Sequence, residues 1–302
     1  MPVLTGSDWV GRKTSDPHPI VYQGCHESDA RRLTEAGIYS FCLTYYDVER
    51  AGNQDVLDKH PALAPKGRAF LDSGAFSFLV NGYNKKIPRQ EIEKQVPAYL
   101  KRYAEWVKGK SKRFDFYVTF DYVVEAPVVY QATKALQQLG IRPVPIYHGD
   151  SDLDWVRKYI DEGHKIIGVS KRFFLNDRKG LLKYFDHVFK LTEQNKIFVH
   201  GFACTGSEAW RYPFGSIDST TLVKKAGNGI IHYFDHRGIS HELSVTQGTS
   251  FSKDLLGILE TRKVTLETLK TQRYARVLFN AVSLQEFLSK RKPLEWNHKT
   301  LF

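Results

Sequence analysis

The chain has 302 residues, 42% of them apolar, which is enough for one large core. Lysine and arginine number 44 against 33 aspartates and glutamates; the net charge of +11 attracts polyanions and makes nucleic acid the leading partner, although a solvated basic surface accounts for it about equally well. An amino terminus without a basic-then-apolar leader, no window near the roughly 18 uninterrupted apolar residues of a membrane span, and three singly scattered cysteines (Cys25, Cys42, Cys204) argue against secretion, membrane insertion and a cysteine-built zinc site, and for a cytoplasmic protein.

In chain order, short β-rich runs alternate with longer helical patterns. The predicted strands are residues 19–24, 38–46, 68–72, 114–121, 142–149, 165–170, 196–201 and 214–218. Helices are predicted over 27–36, 89–108, 127–139, 153–162 and around 181–192, with Gly37, Gly140 and Gly163 placed as C-terminal caps. Eight strands with intervening helices in this length predict a (β/α)8 TIM barrel, with an open doubly wound sheet as the alternative. No G-x-G-x-x-G follows the first strand, which counts against a dinucleotide fold. Beyond residue 218 the pattern changes to a turn with β-like segments and then one or two basic amphipathic helices. Residues 1–302 therefore read as a single domain in which 232–302 form a C-terminal β/helical extension.

In such a barrel the active site is built where the strands end. Asp72 ends the third predicted strand, Asp121 the fourth, His148 the fifth, Gly168 and Ser170 the sixth, His200 and Gly201 the seventh, and Asp218 the eighth. Taken singly, each has an ordinary explanation. Asp72 before Ser73 and Gly74, or Asp218 before Ser219 and Thr220, could cap a helix or form a turn, and a lone histidine is usually a hydrogen-bonded structural residue. Together, three carboxylates and two histidines on one mouth suit a division of labour between nucleophile and general acid/base. That is the chemistry of substitution at an anomeric carbon with a covalent glycosyl-enzyme.

Six motifs, in order over residues 20–232, resemble the tRNA-guanine transglycosylases. They are "LDSGAFS" for the family's D-S-G-G-F-Q, "YVTFDYV" for its strand ending in F-D-E, "PIYHGD" for V-Q-G, "IIGVS" for I-G-G-L-S, "VHGFACTGSEAW" for M-G-V-G-x-P-E-D-L, and "FGSIDSTTLVKKAGNG" for the segment holding D-x-F-D-C, P-T-R and N-G. The resemblance implies that Asp218 is the nucleophile and Asp72 the general acid/base. It implies that Asp121 reads the face of a guanine-like base, that Gly168 bonds the base through the backbone, and that Phe76 helps to sandwich it. The small residues after Asp72, beginning with Ser73, let base and sugar approach.

The departures carry information too. His148 replaces a glutamine, His200 replaces the apolar residue that packs on the base, with Gly201 beside it as a further base-binding candidate, and the C-x-C-x2-C zinc motif is missing, since no cysteine follows Cys204. No metal or cofactor is expected. A compact, zinc-less chain is most similar to the phage-type DNA-guanine transglycosylases, which exchange guanine in DNA for a 7-deazaguanine such as 7-cyano-7-deazaguanine; if phage-encoded, it would work in the host cytoplasm. Lys171, Arg172, Lys224 and Lys225, with Arg273, Arg276, Lys290, Arg291 and Lys292, are candidate phosphate contacts, a solvated basic face being as good an explanation for any one of them. The alternatives are a tRNA transglycosylase, a retaining glycoside hydrolase and a non-catalytic nucleic-acid-binding subunit. The oligomeric state stays open.

Overall fold

A computed structural model describes residues 19–25, 27–50, 52, 60–64, 67–122, 125–149, 153–174, 176–246 and 251–290. Arg291 and Lys292 lie outside them. Eight parallel strands, β1 (Ile20–Gly24), β2 (Ser40–Thr44), β3 (Arg68–Asp72), β4 (Phe116–Tyr117), β5 (Ile146–Tyr147), β6 (Ile166–Ser170), β7 (Phe198–Phe202) and β8 (Ser216–Ser219), form one sheet in the order β4-β3-β2-β1-β8-β7-β6-β5. The two ends of that order meet. The Val144 N–H donates to the Tyr117 carbonyl at 2.8 Å and the Thr119 N–H to the Val144 carbonyl at 2.9 Å, so the sheet closes as a (β/α)8 barrel.

Among the described residues, nine helices follow these strands in chain order: α1 (Glu27–Glu35), α2 (Tyr45–Arg50), α3 (Ala75–Asn84), α4 (Arg89–Lys110), α5 (Ala126–Gln138), α6 (Asp154–Asp161), α7 (Arg178–Gln194), α8 (Ser207–Arg211) and α9 (Thr221–Gly227). Each predicted strand and helix has its counterpart, although β4 and β5 are shorter than expected and α8 and α9 add helices that the sequence pattern does not predict; two further segments differ in kind. Tyr45 and Tyr46, expected to extend β2, open α2, because the Tyr45 ring packs against Tyr99, Tyr103 and Trp106 of α4 with centroids 5.1–5.7 Å away. Helix α3 was not anticipated. Its aromatic and β-branched sequence is held helical by tertiary packing, with Phe78 on Tyr99 and Phe120 at 4.7 and 5.7 Å.

Strand alternation divides the chain into layers. Ile20, Tyr22, Cys42, Phe70, Phe116, Val118, Val144, Ile146 and Ile166 fill the barrel interior, while Phe41, Leu43, Leu71, Val199 and Ile217 face outward onto the helices.

The chain then continues as a hairpin, β9 (Ile230–Phe234) and β10 (Ser240–Ser244), and three helices, α10 (Lys253–Thr261), α11 (Leu266–Thr271) and α12 (Arg273–Ser289). Helix α12 lies against α1, α9 and β9, beside the β8–β1 junction. Buried polar groups fix it there. Arg276 donates to the carbonyls of Ala226 (2.7 Å), Leu269 (2.6 Å) and Lys270 (3.1 Å). The Asn280 amide donates to the carbonyls of Leu222 and Ile230 and accepts from the His232 N–H at 2.6 Å, and Arg273 grips Asp29 of α1 with two bonds of 2.8 Å. Among the described residues no helix is long and apolar enough to cross a membrane.

Candidate active site at the barrel mouth

The inward alternation of the strands brings Asp72, Asp121, His148, Ser170, His200 and Asp218 to the C-terminal end of the barrel. Asp72 faces in beside Phe70, and Asp218 faces in one register above Ser216. Immediately after Asp72 the chain must turn sharply, and Gly74 adopts φ +78° with a Cβ that would stand 2.4 Å from Tyr46. Its N–H donates to Asp72 Oδ1 at 2.7 Å, so the turn that a cap would explain also aims this carboxylate. Desolvation is the main cause that pushes Asp72 up to about 7, followed by the negative charge of Asp121, with a smaller push from Asp218.

Asp218 is 7% exposed. Its Oδ1 accepts the Ala203 N–H at 2.7 Å, a donor presented by a left-handed Ala203 at φ +54° in the turn after β7. Burial pushes Asp218 up to about 6 against the opposing pull of that bond and of Lys171. With Asp72 near 7 and Asp218 near 6, both carboxyls exchange protons close to neutral pH, the condition that acid/base work between two such groups needs.

Each histidine is tied to a serine on one side and faces a carboxylate on the other. His148 Nδ1 is 3.0 Å from Ser170 Oγ, and its Nε2 is 3.2 Å from Asp121 Oδ2 without the alignment of a hydrogen bond. His200 Nδ1 is 2.8 Å from Ser216 Oγ, and its Nε2 is 3.9 Å from Asp218 Oδ1. The His200 ring stands in a box of Phe202, Phe70, Phe116 and Tyr22, with centroids at 4.4, 4.8, 5.1 and 6.1 Å, and burial drives it down to about 3, so it is neutral. His148 Nε2, His200 Nε2 and Ser73 Oγ are all buried and make no hydrogen bond. Of these, His148 Nε2 and His200 Nε2 stand beside carboxylates of the mouth, Asp121 and Asp218, and are free to meet a polar group there.

Other candidates stand differently. Gly168 faces in, but its N–H is already donated to the Pro145 carbonyl at 2.8 Å, and a Cβ there would meet the Phe202 ring at 2.4 Å; the glycine makes room for Phe202. Gly201 faces away from the mouth, because side chains alternate and His200 faces in; a Cβ would meet Phe214 and Cys204 in the outer layer. Phe76, in the first turn of α3, is 60% exposed, with the Arg172 guanidinium 5.9 Å from its ring centroid.

The basic candidates divide as well. Lys171 pairs with the buried Glu208, Lys225 with Glu242, Arg273 with Asp29, and Arg276 with backbone carbonyls, so these four hold the fold together. Arg172, Lys224 and Lys290 are exposed. Sequence reasoning missed the serine partner Ser216, the Ala203 N–H and the Lys171–Glu208 pair. Nothing in residue type or spacing announces a backbone donor from the neighbouring strand.

Among the described residues no group of three or more histidines, cysteines, aspartates or glutamates is arranged to hold a metal ion. No protein-family model matches the chain, and no curated protein matches it.

Proposed function

We propose that the protein is a guanine transglycosylase that exchanges guanine in DNA for a 7-deazaguanine base, 7-cyano-7-deazaguanine or a derivative, through a covalent Asp218-glycosyl intermediate. The observation that carries this reading is the convergence of two inward-facing carboxylates at one barrel mouth, the half-buried Asp72 and the buried Asp218, each aimed by a backbone N–H and each pushed upward by desolvation. Asp218 attacks the anomeric carbon as the bond to guanine breaks, and the departing ring nitrogen takes the proton held by Asp72. The incoming base returns a proton to Asp72, its ring nitrogen attacks the same carbon, and the bond to Asp218 breaks, so that neither a proton nor a configuration is gained or lost overall. Asp121 and His148, 3.2 Å apart, supply an acceptor and a donor for the base edge. In a duplex the target guanosine must be turned out of the stack, at a cost of a few kcal/mol.

The net charge of +11 supports a polynucleotide substrate over a neutral glycan. Incorporation of labelled 7-cyano-7-deazaguanine into DNA and into bulk tRNA, measured side by side, tests the reading. Label in DNA is expected; label in tRNA alone would keep the chemistry and transfer it to the other polynucleotide, and label in neither would overturn the proposal.

A further inference from the structure

The turn between β6 and α7 displays an aromatic side chain that the fold does not use. Residues 172–174 form one 3-10 turn, closed by the Phe174 N–H donating to the Lys171 carbonyl at 2.9 Å. Phe174 is anchored, stacked on Tyr184 of α7 with centroids 4.9 Å apart and planes 19° from parallel. Phe173 next to it points out, 48% exposed. The start of the turn is pinned to the site itself, since the Arg172 N–H donates to Ser170 Oγ at 3.2 Å and Ser170 holds His148. The Asp177 side chain, accepting the Gly180 N–H at 2.8 Å, fixes its far end. A large apolar ring held in water on a rigid support costs stability that burial would recover, about 1.5–3 kcal/mol for a phenylalanine.

Cations flank the ring. Arg172, directly after β6, brings its guanidinium to 5.9 Å from the Phe76 ring on the helix after β3. Arg178 and Lys179 are exposed in the first turn of α7, directly after the N-cap Asp177, whose carboxylate is engaged by the Gly180 N–H, and with it they leave this helix end one positive charge in excess. An exposed aromatic face among cations, rigidly presented, is the composition of a single-strand platform. The ring stacks on a base of any sequence and the cations follow the phosphates.

We propose that this turn receives a single-stranded flank of the polynucleotide: Phe173 stacks on the nucleobase next to the reacting nucleotide, while Arg172, Arg178 and Lys179 contact its phosphates. The inference rests on the functional reading above for the identity of the reacting nucleotide.

It is tested by fluorescence anisotropy of a labelled, guanine-containing single-stranded oligonucleotide with the full chain. Phe173→Ala is expected to weaken binding by roughly 5- to 150-fold, while Phe173→Tyr and Phe173→Trp keep the affinity within about 2-fold. Arg178→Ala with Lys179→Ala should flatten the slope of log K against log salt by about 1.4, the value for two phosphates of a single strand. Unchanged binding by Phe173→Ala, or Phe173→Leu binding as well as Phe173→Tyr, would overturn the stacking role, and an unchanged salt slope would overturn the phosphate contacts. If label enters DNA while Phe173→Ala binds normally, only this inference fails. If the oligonucleotide binds through Phe173 and no label enters any polynucleotide, only the functional reading fails.

Discussion

The two sides of the mouth are built from the same three residue types, placed at different depths. On the β4–β6 side, Asp121, His148 and Ser170 lie at the rim, with the Asp121 side chain 24% exposed and 3.2 Å from His148. On the β7–β8 side, Asp218, His200 and Ser216 lie deeper, with His200 fully buried, 3.9 Å from the carboxylate and walled by aromatic rings. The carboxylate oxygen opposite Nε2 of the neutral His200 calls for the proton on that nitrogen, so its Nδ1 accepts from Ser216. What separates the two groups is solvent. Asp121 keeps a partly solvated carboxylate, whereas burial at the deep side makes ionisation costly and gives Asp218 its raised pKa.

The largest effect expected from breaking this asymmetry is at the deep side. Asp218→Ala should lower exchange by about 10^4-fold or more and remove covalent complex formation, read by single-turnover kinetics. Asp72→Asn should cost about 10^2- to 10^4-fold, since the amide can neither give nor take the proton. The pH dependence sharpens the same point. The wild type should show a bell with its acid limb set by Asp218 near 6 and its alkaline limb by Asp72 near 7, and the residual activity of Asp72→Asn should lack the alkaline limb.

At the rim the expected loss is smaller and falls on binding. His148→Ala should raise the Kd of the free 7-deazaguanine base about 10-fold, measured by calorimetry, with the fold intact.

Stability should move in opposite directions on titrating the deep pair. The folded pKa of Asp218, about 6, lies above its unfolded value, so the stability it contributes is fully present below about pH 4 and lost as pH rises through 6. Asp218→Asn should therefore stabilise the protein by roughly 1–3 kcal/mol at about pH 8 and by little at about pH 4, by urea unfolding. His200, lowered to about 3, has the reverse sign: its contribution is present above about pH 6.5 and lost as pH falls towards 3. The smallest effect is expected at Ala203, where Ala203→Gly relieves the left-handed backbone at φ +54° and should change stability by no more than about 1 kcal/mol.

Much of the architecture was legible because strands bounded by turn residues and alternating with helical periods leave few closures, and the strand ends named Asp72, Asp121, His148 and Asp218 directly. The helix at Ala75–Asn84 was not legible, since its composition favours a strand and only its packing on Tyr99 and Phe120 decides otherwise. The period-2 rule could have shown that His200 and Gly201 cannot both face the mouth. No rule of sequence could have told Lys171 or Arg276, which hold the protein together, from Arg172, which stands at the rim: the difference lies in partners from distant parts of the chain, Glu208 for Lys171 and the Ala226 carbonyl for Arg276.

The most direct test is to trap the protein on a guanine-containing DNA strand, denature the complex, and map the modified residue by peptide mass spectrometry. A glycosyl adduct on Asp218 that is absent from Asp218→Ala is the result predicted; an adduct on Asp72, or full exchange by Asp218→Ala, would contradict the division of labour between the two carboxylates.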